Sequence, residues 1–213
     1  MPIGVLISGS GTNLQALIDA CLAPDFPARI AVVISNKKSA LGLERARKAG
    51  IPAVWIPGRK YADRTAHETV ITDCLKEHGV QWVACAGYMR ILSSGFVDTW
   101  PNRILNIHPS LLPAFPGLDA QGQAFNAGVQ IAGATVHLVD AGCDSGPILA
   151  QGATAVLPGD SRDTLQQRIL RIEHQLYPRV VRWAAEGRIH VEEGLAQVNL
   201  PTNEARFLWL DPQ

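Results

Sequence analysis

Residues 3 to 22 read "IGVLISGSGTNLQALIDACL", an apolar run that stops at a serine and glycine turn and then continues with helical spacing. A short apolar run bounded by glycines reads as a buried strand, and the segment after it as a helix. The turn between them therefore offers unpaired backbone amides at the positive end of a helix dipole, a ready site for an anion. Two familiar nucleotide signatures fail here. The third glycine of a dinucleotide fingerprint is replaced by Leu14, and the next strand ends in "ISNKK" without the acid that would hold a ribose diol. No Gly-Lys-Ser/Thr follows either, so the triphosphate loop is excluded. What is left is a short cradle, Gly9 to Asn13, sized for one phosphate monoester. The plainer alternative is a tight strand-to-helix turn in which Thr12 or Asn13 caps the helix.

The same alternation continues along the chain. Apolar runs at residues 29–35, 53–56, 81–87 and 103–108 alternate with the helical segments "ALGLERARKAG" and "DRTAHETVITDCLKEHG", which close on Gly50 and Gly79. Such alternation predicts an α/β fold of Rossmann-like type, a mostly parallel twisted sheet with helices on both faces. From residue 133 the texture changes. "GATVHLV" (133–139) and "PILAQGATAVL" (147–157) flank a turn-rich "DAGCDSG", which predicts antiparallel strands that extend the sheet. The longest helix follows "PGDSRDT" with Asp160 or Ser161 as its cap, a kink at Pro178 and an end at Gly187; the tail then reads as an edge hairpin. We read residues 1–213 as one domain: a phosphate-binding half (1–100), a catalytic half (101–187) and a tail (188–213).

Lys plus Arg and Asp plus Glu balance at 19 each, so no global field draws the chain to nucleic acid or to an anionic membrane. Small-molecule partners are the expectation. The four cysteines form no C-x-x-C pair and the six histidines form no metal-binding spacing, which together predict a reduced, cytoplasmic protein without a metal. The first apolar run breaks at glycines after seven residues, too short for a signal peptide or a membrane span.

Ligands of a parallel sheet bind beyond the carboxyl ends of its strands. Three segments fall there: residues 8–13, 87–92 and 106–118. In "NIHPSLLP" (106–113), Asn106 and His108 lie two residues apart on an extended segment and point to the same side, while Pro109 keeps His108 out of a helix. An amide N–H serves a carbonyl becoming an oxyanion, and an imidazole exchanges protons near neutrality. The bland alternative is a satisfied polar residue at a strand end. Asp144, in the turn "DAGCDSGP", is either an ordinary turn aspartate or a carboxylate near His108 that favours the imidazolium. His137 faces either a site or a helix. "AGYMRIL" (86–92) forms an apolar slot with Arg90 available to a carboxylate, or else contributes Met89 and Leu92 to the core.

Together "ISGSGTNLQALID", "GYMRILS", "NIHPSLLPAFPG", "GATVHLVDAGCDSGPILAQ" and "RIEHQLYP" resemble the phosphoribosylglycinamide formyltransferases, in order and over about residues 3–188. The resemblance implies formyl transfer from 10-formyltetrahydrofolate, as cosubstrate, to the amine of glycinamide ribonucleotide in purine synthesis, by a monomer or homodimer. It implies that Gly11, Thr12 and Asn13 cradle the nucleotide phosphate and that Glu173 accepts from the ribose hydroxyls. It further implies a folate pocket walled by Met89, Arg90, Ile91, Leu92, Asn106, Val139, Asp140, Ala141, Gly142, Cys143 and Asp144, with Arg64 at its edge, and a catalytic trio of Asn106, His108 and Asp144. One departure stands out: after "FPG" the chain carries Asp119, Gln121 and Gly122, where relatives often have basic residues or histidine. No site is assigned to that flap.

Three other readings compete. A 10-formyltetrahydrofolate hydrolase would share the trio but needs no phosphate cradle, and a tRNA formyltransferase would bring a basic RNA-binding domain. A noncatalytic nucleotide-binding module of Rossmann type leaves the joint presence of Asn106, His108 and Asp144 unexplained.

Overall fold

The computed structural model describes residues 1–211, and the chain in it is a mixed α/β protein with mostly parallel strands flanked by helices. Two compact units divide it, the first ending at Asn106 and the second beginning at Ile107.

The first unit alternates β1 (Pro2–Ile7), α1 (Thr12–Cys21), β2 (Arg29–Ser35), α2 (Leu41–Lys48), β3 (Ala53–Trp55), α3 (Arg64–Glu77), β4 (Trp82–Cys85), α4 (Ser94–Thr99) and β5 (Ile104–His108), whose last two residues open the second unit. All pairings within it are parallel, in the order β5-β4-β1-β2-β3. The chain thus leaves β1 toward one edge and returns to its other side at β4. A topological switch point lies between β1 and β4, and the loops after those two strands meet there. Ser8 N–H donates to Gly87 O at 3.1 Å, and Met89 N–H donates to Ser8 Oγ at 2.9 Å. Val5, Leu6, Ile7, Val32, Val33 and Ile34 are fully enclosed, which is why these strands read as unbroken apolar runs. Gly4 lets α3 seat on β1, because a Cβ there would meet Leu75 Cδ2 at 2.2 Å.

The second unit continues with α5 (Ala120–Asn126), β6 (Ile131–Leu138), β7 (Ile148–Ala155), α6 (Arg162–Ala185), β8 (Ile189–Glu192), β9 (Leu195–Val198) and β10 (Phe207–Trp209). As expected, β6 and β7 pair antiparallel, with Thr135 opposite Gln151. Helix α6 buries Leu165, Ile169, Ile172, Leu176, Val180 and Trp183 on one face, against β6 and β7. Its start is a capping box: Ser161 Oγ accepts from Thr164 N–H at 3.1 Å, and Thr164 Oγ1 accepts from Ser161 N–H at 2.8 Å. Asp160, the other candidate cap, instead takes a bidentate pair from Arg168 at 2.6 and 2.9 Å. The helix runs without a break from Arg162 to Ala185, with Pro178 inside it.

Two expectations are corrected. The tail hairpin does form, as β8 and β9, but as a separate two-stranded sheet; it is β10 that pairs with the other sheet, parallel to β7. Arg206 secures that strand by donating to Leu149 O at 2.7 Å, to Ala196 O at 3.2 Å and to Ile148 O. Neither Thr12 nor Asn13 caps α1. The cap position belongs to Gly11 in a left-handed conformation (φ 71°) with no side-chain cap hydrogen bond, so the first turn's amides depend on other partners.

Candidate functional site

His108 is the last residue of β5 and is buried (5% exposed). Its Nε2–H donates to the carbonyl of Phe115 at 2.9 Å, and its Nδ1 lies 3.4 Å from Oδ2 of Asp144. Both neighbours of the ring are acceptors, so the form that serves both is the one with a proton on each nitrogen. His137, near the end of β6 and equally buried, meets the same carboxylate from another direction. Its Nε2 lies 3.6 Å from Asp144 Oδ1, and its Nδ1–H donates to Leu138 O at 2.8 Å. At 3.4 Å His108 makes a long charge contact with Asp144, while His137 also gives that carboxylate a side-chain hydrogen bond.

Asp144 sits in the loop between β6 and β7 with a left-handed backbone (φ 53°), a conformation that Asp tolerates better than most residues. The loop is built for that placement. Asp140 accepts from Gly142 N–H at 3.0 Å and from Ser145 Oγ at 2.9 and 3.0 Å. At the loop's neck a Cβ on Gly146 would fall 2.0 Å from Leu138 O, so only glycine fits. Oδ2 of Asp144 also accepts the Gly117 amide at 2.9 Å. Burial alone raises the Asp144 carboxyl, but His137, the Gly117 amide and the charge of His108 outweigh it and hold the pKa down at about 2. The carboxylate is therefore ionised across the neutral range. The exposed Cys143 thiol beside it is pushed up by desolvation and by the Asp144 charge.

The two late-loop residues expected from sequence, His108 and Asp144, are thus brought together, and His137, which sequence left open between site and helix, joins them. Asn106 precedes His108 by two residues on β5, so the pleat directs both to the same side of the strand. Val139, Ala141, Gly142 and Cys143 line the Asp144 loop with Asp140. Glu173 lies in α6 and is buried.

In the first unit, Gly9 to Asn13 form the turn from β1 into α1. Arg45 stabilises it from α2, donating through Nε to Ser10 O at 2.9 Å and through Nη1 to Gln15 at 3.2 Å. Gly11 is required twice, by its positive φ and by the approach of α2: an added Cβ would stand 2.6 Å from the Gly42 Cα. After β4, Met89 (62%) and Ile91 (59%) are exposed while Leu92 is buried. Arg90 lies against the turn at Gly58, where a Cβ would meet its Nη1 at 2.0 Å. Arg64 is the first residue of α3 and exposed, behind the cap Asp63, whose carboxylate accepts from Ala66 N–H at 2.8 Å. The flap departure also has a structural correlate: Asp119 pairs with Arg162 of α6, and Gly122 makes room for its carboxylate. Among the described residues no cluster of three or more His, Cys, Asp or Glu is arranged to hold a metal ion, and no helix is long and apolar enough to cross a membrane.

Comparison with known proteins adds a family. The formyl transferase family model matches residues 1–181. The chain is 42% identical to the phosphoribosylglycinamide formyltransferase of Haemophilus influenzae over 92% of its own length and 93% of the relative's. It is 50% identical to the trifunctional purine biosynthetic protein adenosine-3 of Drosophila pseudoobscura pseudoobscura over 88% of its length, and it spans 14% of that much longer relative. The crystal structure of glycinamide ribonucleotide transformylase 1 from Symbiobacterium toebii superposes with a TM-score of 0.91 at 52% identity, covering 93% of each chain.

Proposed function

Because the chain belongs to the formyl transferase family, we propose that it transfers the formyl group of 10-formyltetrahydrofolate to the amine of glycinamide ribonucleotide; that its relatives include named phosphoribosylglycinamide formyltransferases supports the acceptor. The observation that carries the proposal is the buried His108–Asp144 pair at 3.4 Å, at the end of the strand that also bears Asn106.

In this reading the substrate amine attacks the formyl carbon. As the carbonyl becomes an oxyanion, the Asn106 amide and a doubly protonated His108 stabilise it. Collapse of the tetrahedral intermediate breaks the bond from the formyl carbon to the folate nitrogen. The amine gives up one proton and the departing folate nitrogen takes one, so the sum is neutral. Asp144 supports the charged His108 and relays the amine's proton by way of water toward the departing folate nitrogen, so it ends the step ionised as it began. The amides at Gly11, Thr12 and Asn13 receive the nucleotide phosphate, and Glu173 receives its ribose hydroxyls. Arg64, Met89, Arg90, Ile91 and Leu92, with residues 139–144, hold the folate. Binding both substrates together converts a bimolecular step into an effectively unimolecular one. Residues 1–213 act as one domain, as a monomer or homodimer in the cytoplasm.

The direct test incubates the purified protein with both compounds and identifies the nucleotide product by mass spectrometry. A mass gain of one formyl group supports the reading, and an unmodified nucleotide with folate consumed overturns it.

A further inference from the structure

The segment between His108 and Gly117 holds the candidate pair at both of its members. The Phe115 carbonyl receives His108 Nε2–H, and the Gly117 amide donates to Asp144. A backbone with those two tasks must itself be held, and the hydrogen bonds show by what. Thr135 of β6 gives its hydroxyl proton to Ser110 O at 2.7 Å and accepts from Leu112 N–H at 3.0 Å. Directly across the sheet, Gln151 of β7 donates through Nε2 to Leu112 O at 2.9 Å and to Thr135 Oγ1 at 3.1 Å. Ser110, buried like Thr135, then passes the restraint forward: its hydroxyl donates to Ala114 O at 2.6 Å, with Phe115 O at 3.2 Å.

Every hydrogen-bonding position of the Thr135 hydroxyl is used, one donated and two accepted, and both protons of the Gln151 amide are committed. A saturated polar network in an enclosed place has one low-energy arrangement, and removing a member leaves partners unsatisfied. Thr135 is 0% exposed, so water does not substitute for it. Thr135 and His137 lie two residues apart in β6, so a single strand both grips the segment and presents the imidazole that faces Asp144.

We infer that Thr135 and Gln151 are positioning residues: a cross-strand clamp that fixes residues 110–117 so that the Phe115 carbonyl and the Gly117 amide hold His108 and Asp144 in register for proton transfer. The inference rests on the formyl-transfer reading of His108. A clamp of this kind affects rate rather than affinity, because it touches neither substrate and sets the geometry of groups that act in the transition state.

The test compares Thr135→Val, which keeps the shape and loses the hydroxyl, with Thr135→Ser, which keeps the hydroxyl, and with Gln151→Met in the half-buried position across the sheet. Thr135→Val and Gln151→Met are expected to lower kcat roughly 10- to 100-fold with both KM values within about twofold, and Thr135→Ser to restore kcat to within about threefold of wild type. In parallel, the hydrogen-bonded His108 Nε2–H resonance, assigned by its loss in His108→Ala, is expected to move toward a solvent-exchanging position in Thr135→Val and to stay in place in Thr135→Ser. Equal kcat for the valine and serine variants, or a folded Gln151→Met with wild-type kcat and an unmoved His108 resonance, overturns the clamp. If Thr135→Val does not fold, Gln151→Met carries both readouts. A wild-type protein without formyl transfer refutes the functional reading alone, since the His108 resonance still reports on the clamp.

Discussion

His137 places its Nε2 3.6 Å from Oδ1 of Asp144, the carboxylate oxygen opposite the one that faces His108. One carboxylate thus carries two buried imidazoles. Removing His137 takes away an interaction that lowers the Asp144 pKa, so His137→Ala should lift that carboxyl from about 2 toward its ordinary value. Carbon-13 NMR of the labelled carboxyl checks this. We expect kcat to fall on the order of tenfold through misplacement of Asp144, with both KM values nearly constant.

Loss of His108 should be costlier. A group that exchanges protons and stabilises charge in the transition state supplies about 10²- to 10⁴-fold, so His108→Ala is expected to reduce kcat by that factor. Dissociation constants for both substrates, measured by calorimetry, should change by less than about threefold. A comparable loss in affinity would make His108 a binding group.

Glu173 has the opposite signature. If it accepts from ribose hydroxyls far from the reacting atoms, its contribution is made equally to ground and transition states. Glu173→Ala should then raise KM for the nucleotide about tenfold and leave KM for the folate alone. A collapsed kcat with unchanged KM contradicts that role. Because Glu173 is buried in α6, circular dichroism of the variant belongs in the same experiment.

Acid stability follows from Asp144 and Asp160. Asp160 is held below the ordinary carboxylate range, chiefly by its bidentate hydrogen bonds with Arg168. For a carboxyl whose folded pKa is depressed, the stabilisation is complete above the unfolded value near ~4 and is lost as pH falls through the folded value. The contribution of these two carboxyls to the unfolding free energy should therefore be constant above about pH 5 and fall from about pH 4 to 2. Asp160→Asn should lower stability at neutral pH and make the acid limb shallower. An unchanged slope would show that the Arg168 pair does not couple to folding.

The turn at Gly11 offers a stability test of the cradle. Gly11→Ala places a Cβ 2.6 Å from the Gly42 backbone on a residue with φ of 71°, which should cost roughly 2–4 kcal/mol in urea unfolding. Gly9→Ala, in the same turn but with open space around an added Cβ, is the matched control and should be nearly neutral.

Much of this was legible from local pattern. The β1 turn into α1 is readable because a buried parallel strand needs a continuous apolar run and the chain must then reverse on glycines. Asn106 and His108 are readable as a same-side pair because strand geometry alone fixes that relation. The contact of Asp144 with two histidines is not, since it depends on how the strand pair β6 and β7 carries a turn back toward β5. Likewise, β10 is three residues in a polar tail, and its pairing rests on Arg206 reaching the carbonyls of β7, a contact distant in sequence. The capping of α1 misleads for a nonlocal reason: Thr12 and Asn13 are favourable cap types, but the close approach of α2 at Gly42 reserves the cap position for a glycine.

The most direct measurement is the rate of tetrahydrofolate formation from 10-formyltetrahydrofolate, followed by absorbance with and without glycinamide ribonucleotide. Formation that depends on the nucleotide, with one equivalent of formylated nucleotide per folate released, is the expected result. Tetrahydrofolate and formate appearing at the same rate in its absence would contradict the account and make the protein a hydrolase.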